Sequence, residues 1–151
     1  MINLTILFLT IFNDPVANLE QKACDYFFSN IFKNRYADYK LVEFDNLTDT
    51  TRYWGIVQNC KNWNDKTKGQ IVSTTPDKST QVTATTKVAR VKRTKKNSGR
   101  LKIRVWSKIK VGDNYLVLIK TYRKLRFAEY FFIELDKEGK IVQTCEQGEI
   151  I

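Results

Sequence analysis

Leu101-Lys102-Ile103-Arg104-Val105-Trp106-Ser107-Lys108-Ile109-Lys110-Val111 is the stretch that decides the fold class. Leu101, Ile103, Val105, Ile109 and Val111 alternate with Lys102, Arg104, Trp106, Lys108 and Lys110. This is the period of a half-buried strand, in which successive side chains point to opposite faces. Gly112-Asp113-Asn114 interrupts the pattern, Tyr115 to Arg123 and Phe127 to Leu135 resume it, and Asp136-Lys137-Glu138-Gly139 turns the chain into Lys140 to Cys145. Upstream, Val82, Ala84, Thr86 and Val88 alternate with Thr83, Thr85 and Lys87, and Lys95-Lys96-Asn97-Ser98-Gly99 reads as an exposed hairpin tip joining that strand to the first. The C-terminal half reads as an antiparallel meander.

Two registers compete at the hairpin after Val111. A two-residue Gly112-Asp113 turn sets Val111 opposite Asn114 and mixes Val117 and Ile119 with Lys108 and Arg104. A three-residue loop with Asn114 left-handed pairs Val111 with Tyr115 and Ile109 with Val117, so that the apolar sets meet. The second register is the expectation. It puts Trp106 across from Lys120 and Arg104 across from Tyr122, and lines one face with Lys102, Arg104, Trp106, Lys108, Lys110, Lys120, Tyr122 and Lys124. Leu116, Leu118, Tyr130 and Phe132 share that face, an apolar patch that requires a cover: either the N-terminal segment or a second subunit.

Earlier in the chain the period changes. Asp14-Pro15 suits a helix start, since Asp accepts from free amides and proline surrenders an N–H that is unpaired there anyway. Leu19, Ala23, Cys24, Phe27, Phe28, Ile31 and Phe32 then recur at helical spacing, with Glu20, Gln21, Lys22, Asp25 and Ser29 opposite. Tyr39 to Phe44 reads as a short strand. Trp54, Ile56 and Val57 fit a strand or a short helix, Asn59 to Asn64 a loop, and Gln70 to Thr75 a strand closed by Pro76-Asp77.

With 151 residues the chain suits one domain, burying roughly 68–70% of its unfolded surface. The fold class is α+β: one long N-terminal helix packed on a curved antiparallel meander over residues 14–151. Residues 1–13 form an apolar N-terminal segment that reads equally as a degenerate signal peptide or a packed strand. Export and a cytoplasmic location therefore both stay open. Cys24, Cys60 and Cys145 lack C-x-x-C spacing and the chain has no histidine, so neither a metal nor another cofactor is expected. Cys60 and Cys145 can pair if the chain is exported, but free buried thiols are the expected state.

A long helix followed by a curved meander, ending on Asp136-Lys137-Glu138-Gly139-Lys140-Ile141, resembles the cystatin-like or nuclear-transport-factor-like group of α+β folds. The resemblance spans Asp14 to Cys145 at the level of element order. It implies a helix-on-sheet architecture that serves enzymes, carriers, inhibitors and dimerising modules alike. The Gln-x-Val-x-Gly loop of the cysteine-protease inhibitors is absent, as is the histidine used by some of the group's enzymes.

Charge narrows the function classes. From Lys87 to Arg126 the chain carries fifteen cations against the single anion Asp113, leaving eleven cations and fifteen acids elsewhere. Such regional charge directs acidic partners to one surface. The expected function is a non-catalytic binding module with a basic, aromatic-bearing sheet face. Its partners are an acidic protein, nucleic acid or an anionic surface, or a second copy of the chain docked on Leu116, Leu118, Tyr130 and Phe132. Catalysis between helix and sheet would draw on Asp25, Glu43, Asp45 or Glu129 with Tyr26 or Tyr53, none marked by a motif.

Overall fold

The computed structural model describes residues 19–37, 39, 41–53, 55–85, 100–123 and 127–150. Within the described residues helix α1 runs as α-helix through Leu19–Tyr26, widens into a π-helical stretch at Phe27–Phe32 and closes with Lys33–Arg35. The strands are β1 (Leu41–Phe44), β2 (Arg100–Val105), β3 (Ile109–Val111), β4 (Asn114–Arg123), β5 (Phe127–Leu135) and β6 (Ile141–Ile150). A 3-10 turn at Gly55–Asn59 and helix α2 (Asp65–Ser73) lie between β1 and β2. The expected helix start at Asp14-Pro15, the apolar segment 1–13, Trp54, Val88, the hairpin tip at 95–99 and Lys124 fall outside the described residues.

The α+β class holds, with a sheet ordered β1-β2-β4-β5-β6 and β3 paired to β4. Three corrections apply to its finer form. The helix does not stand at the N-terminus. The sheet is mixed, because β1 runs parallel to β2, with Val42 opposite Leu101. Both edges of β2 are taken, by β1 on one side and β4 on the other, so residues 81–85, the described part of the expected strand, do not pair with β2 as a hairpin.

The apolar stripe of α1 behaves as its spacing demands. Leu19, Ala23, Cys24, Phe27 and Phe28 are fully buried, and Phe27 meets Phe131 on the sheet at 5.2 Å between ring centroids. Val42, Leu101, Ile103, Val105, Val117, Ile119, Ile133 and Leu135 complete this inner core. Each large side chain contributes about 1.5–3 kcal/mol of burial. Glu20, expected on the solvent side, is instead buried.

The decisive departure lies between β2 and β3. Val105 pairs with Ile119 and the Trp106 amide donates to the Leu118 carbonyl (2.8 Å), while Ile109 pairs with Leu116. Trp106 to Ile109 therefore spans one residue more than the facing Leu118 to Leu116, a bulge that reverses which face the following residues take. Lys110 pairs with Tyr115 and Val111 with Asn114, so the observed hairpin has the two-residue turn, with Gly112 at φ 61°. The three-residue register is overturned. Arg104 faces Lys120 and Lys102 faces Tyr122, shifted from the expected pairs.

That reversal creates a second core. Ile109, Val111, Leu116, Leu118, Phe132 and Trp106 are buried on the outer face beneath Tyr53, Val57, Trp63 and Ile71. Gln70 to Ser73, expected as strand, belongs to α2, which Asn64 caps by accepting the Thr67 amide at 2.8 Å. Cys60 and Cys145 form a disulfide that ties this cap to β6, so the expectation of free thiols there is corrected. Cys24 is free and buried, and burial pushes its thiol well above the ordinary range.

Candidate functional site

The outer face of the sheet is divided. Residues 44–85 leave β1, follow the edge of β2 and cross over the far half of that face. Asp49 donates to the Val105 carbonyl (2.8 Å) and accepts from the Ser107 amide (2.9 Å), and the Asp77 amide returns to the Lys108 carbonyl (3.0 Å). The Tyr53 hydroxyl lodges in the bulge, its one proton shared between the carbonyls of Ser107 (2.8 Å) and Leu116 (2.9 Å) while its oxygen accepts the Leu118 amide (3.2 Å). Buried Glu134 takes three donors, Trp63 Nε1 (2.8 Å), Asn114 Nδ2 (2.8 Å) and Gln143 Nε2 (2.6 Å). A buried carboxylate satisfied this fully is structural.

These contacts redistribute the expected binding face. Lys102, Arg104, Lys120 and Tyr122 come together on its uncapped half. Trp106 shares their side but is buried, its Nε1 donating to Thr51 Oγ1 at 3.0 Å. Lys108 and Lys110 are turned to the helix side by the bulge. Lys108 is buried against Glu20 (3.5 Å) and Asp77 (3.3 Å), while Lys110 is exposed beside Tyr115. Leu116, Leu118 and Phe132, expected as an exposed interface, are covered by the chain's own residues 53–73. The reason is parity: once Ile109 and Val111 face outward, the even-numbered apolar residues of β4 have a core to join. Only Tyr130 of that group stays partly exposed.

Among the described residues nothing caps the other half of the outer face, which forms a shelf across the strands. The Lys120 ammonium lies 5.0 Å from the Tyr130 ring centroid and 5.5 Å from that of Tyr122, and Lys102 lies 5.8 Å from Tyr122. Arg104 is held by Asp49 (3.4 Å) and Asp45 (3.8 Å). Among the described residues no ion pair engages Lys120. Beside Lys102 and Arg104 the shelf deepens into a cleft of about 300 Å³ lined by Glu43, Asp45, Asn46 and Tyr122. Its rim is acidic at both ends, with Glu43 and Asp45 at β1 and Glu149 of β6 accepting from the Tyr130 hydroxyl at 2.8 Å. Partial burial and Glu149 push the Tyr130 hydroxyl up to about 12. Half-buried lysine side chains with their ammoniums over tyrosine rings offer an anionic group a cation and an apolar platform at once.

A second polar cluster sits where α1 ends. Tyr36, fully buried, donates its hydroxyl to Glu129, contacts Thr121 Oγ1 at 2.9 Å, and Arg35 reaches Glu129 (3.2 Å) and Glu146 (2.6 Å). The cluster pins the end of the helix to β5 and β6. Tyr26 and Tyr53, the expected partners for an acid-base pair, lie elsewhere.

Burial holds the Tyr53 and Tyr36 hydroxyls well above the ordinary tyrosine range, Glu129 adding to the effect at Tyr36. A tyrosine raised in the folded state stabilises the protein below its unfolded value, near 10, and that stability is lost as the pH climbs toward the folded value. Thermal melts should therefore fall from about pH 10 upward. Tyr53→Phe should flatten the decline while lowering stability at neutral pH, because the Leu118 amide loses its acceptor. A melting temperature unchanged through this alkaline range would contradict the buried, neutral tyrosines.

No family model, curated protein or solved structure matches this chain.

Proposed function

We propose that the chain is a non-catalytic binding module that takes an acidic protein segment on the open shelf of its outer sheet face. The observation that carries this reading is Lys120, poised over Tyr122 and Tyr130 on the half of the face the cap leaves bare. A carboxylate docked there gains a charge-assisted hydrogen bond, and its apolar neighbours gain the tyrosine rings. Glu149 at one end of the shelf, and Asp45 and Asp49 already holding Arg104 at the other, favour a discrete partner of mixed charge over a continuous polyanion. The regional excess of cations between Lys87 and Arg126 supports the second reading, a polyanion such as nucleic acid or an anionic surface. Helix α1 packed on β4 and β5 supports kinship with cystatin-like or nuclear-transport-factor-like folds. The Cys60–Cys145 disulfide supports a protein that works in an oxidising compartment.

Titration of a glutamate-rich peptide into the folded chain tests the shelf. Lys120→Glu should weaken binding on the order of 10-fold or more, the worth of one charge-assisted contact. Lys110→Glu makes the same charge change on the other face and should leave affinity within about twofold. Equal losses from both variants would reduce the interaction to net charge and reject the shelf. Binding of single-stranded DNA that falls steeply with salt, and exceeds peptide binding, would favour the polyanion instead.

A further inference from the structure

Among the described residues the outer edge of β6 pairs with no strand, and it gives the chain a second surface that stands independently of the shelf. In register with β5, the odd-numbered residues of β6 bond inward, so Thr144, Glu146, Gly148 and Ile150 turn their backbone groups away from the sheet. The Thr144 carbonyl confirms the parity, since it is taken by the Asn62 amide (3.0 Å) from outside the sheet. Beyond it, Glu146, Gly148 and Ile150 are exposed.

Edges of this kind are ordinarily protected by lysine, proline or brevity. β6 has ten residues and contains no Lys, Arg or Pro, in a chain with 26 Lys and Arg. Two large apolar side chains also sit together there: Ile150 is 83% exposed and Phe127, opposite Ile150, 39%.

We infer that β6 pairs antiparallel with β6 of a second copy about a two-fold axis at Gly148. This register sets Glu146 opposite Ile150 and Gln147 opposite Glu149, so no like charges face each other and an amide meets a carboxylate. Each outward amide and carbonyl of Glu146, Gly148 and Ile150 then has a partner. Glycine at the axis has a specific use. The Phe127 ring already lies over Gly148, where an added Cβ would stand 3.4 Å from it, and the two-fold brings both Phe127 rings together above the paired glycines. Ile150 packs beside the partner's Arg35 stem, next to the Glu146 that Arg35 holds.

Sedimentation equilibrium of the oxidised full chain over a concentration series tests this pairing. A monomer–dimer equilibrium is expected. Gly148→Pro removes an amide that bonds nothing among the described residues, and Ile150→Glu sets a carboxylate opposite the partner's Glu146. Gly148→Pro should weaken association on the order of 100-fold, as two lost hydrogen bonds would, and Ile150→Glu should weaken it through like-charge repulsion. Hydrogen exchange of the wild-type Gly148 and Ile150 amides should slow as concentration rises, a readout independent of whether the variants fold. A monomer at every concentration overturns the inference, as does a dimer that leaves those amides in fast exchange.

Discussion

Reduction of the Cys60–Cys145 disulfide is expected to lower stability by about 4.5 kcal/mol, the chain-entropy value for the 85-residue separation it closes. The loss should begin locally. Without the crosslink, the cap keeps only the packing around Cys145 and the hydrogen bonds of Asn62 to the Thr144 carbonyl and Gln147 to the Asn59 carbonyl as its described ties to β6. Trp63 packs on Phe132 at 6.2 Å, so release of the cap should shift Trp63 emission to longer wavelength before the sheet unfolds. It should also admit protease at the exposed residues of α2. Urea unfolding of the wild type, with and without reductant, and of Cys60→Ser measures the effect. Coincident curves would show that the cap is anchored by something other than this bond.

Lys108→Met is the second large expectation, at about 3–5 kcal/mol of destabilisation, the cost of leaving one partner of a buried ion pair uncompensated. Glu20 and Lys108 have side chains only 1% and 9% exposed, and one Glu20 oxygen accepts from both the Lys108 amide (3.1 Å) and its ammonium (3.5 Å). The other Glu20 oxygen has no hydrogen-bond partner among the described residues. Asp77, with a side chain 58% exposed, keeps its hydration when the lysine is removed. The double replacement Glu20→Leu/Lys108→Met should therefore recover most of the loss, because neither charge is then stranded. Additive losses in the double-mutant cycle would show that the pair is not coupled.

Both expectations follow from the bulge, which is also where sequence reading and structure part company. The helix was legible because Leu19, Ala23, Phe27 and Ile31 keep a helical period regardless of what they pack against. The strands β4 and β5 were legible because turns at Gly112 and Gly139 bound their alternation. The bulge was not, since Leu101, Ile103, Val105, Ile109 and Val111 are all odd-numbered and run on as if no residue had been inserted. Its signal lay on the other row. Trp106, Leu116 and Leu118 are apolar at even positions, and only a reversal after Trp106 supplies Ile109 and Val111 as their neighbours.

The remaining misreadings have local causes. Ile71 and Val72 favour strand by their branching, and the short polar run at Asn64 hid the cap that starts α2. Cys145 was named as a possible partner of Cys60, but a separation of 85 residues carries no local geometry that decides between a disulfide and free thiols. As for the site, Lys102, Arg104, Lys120 and Tyr122 were found by charge and alternation. Lys108 and Lys110 were assigned to the same row by an alternation that the inserted residue had already broken.

Lysine acylation of the native protein, read residue by residue, tests the division of the outer face most directly. Lys102 and Lys120 should be modified readily, Lys110 as well from the opposite side, and Lys108 should resist until the protein unfolds. Modification of Lys108 at the rate of Lys120 would mean that the cations form one continuous exposed row and that the capped and open halves do not exist.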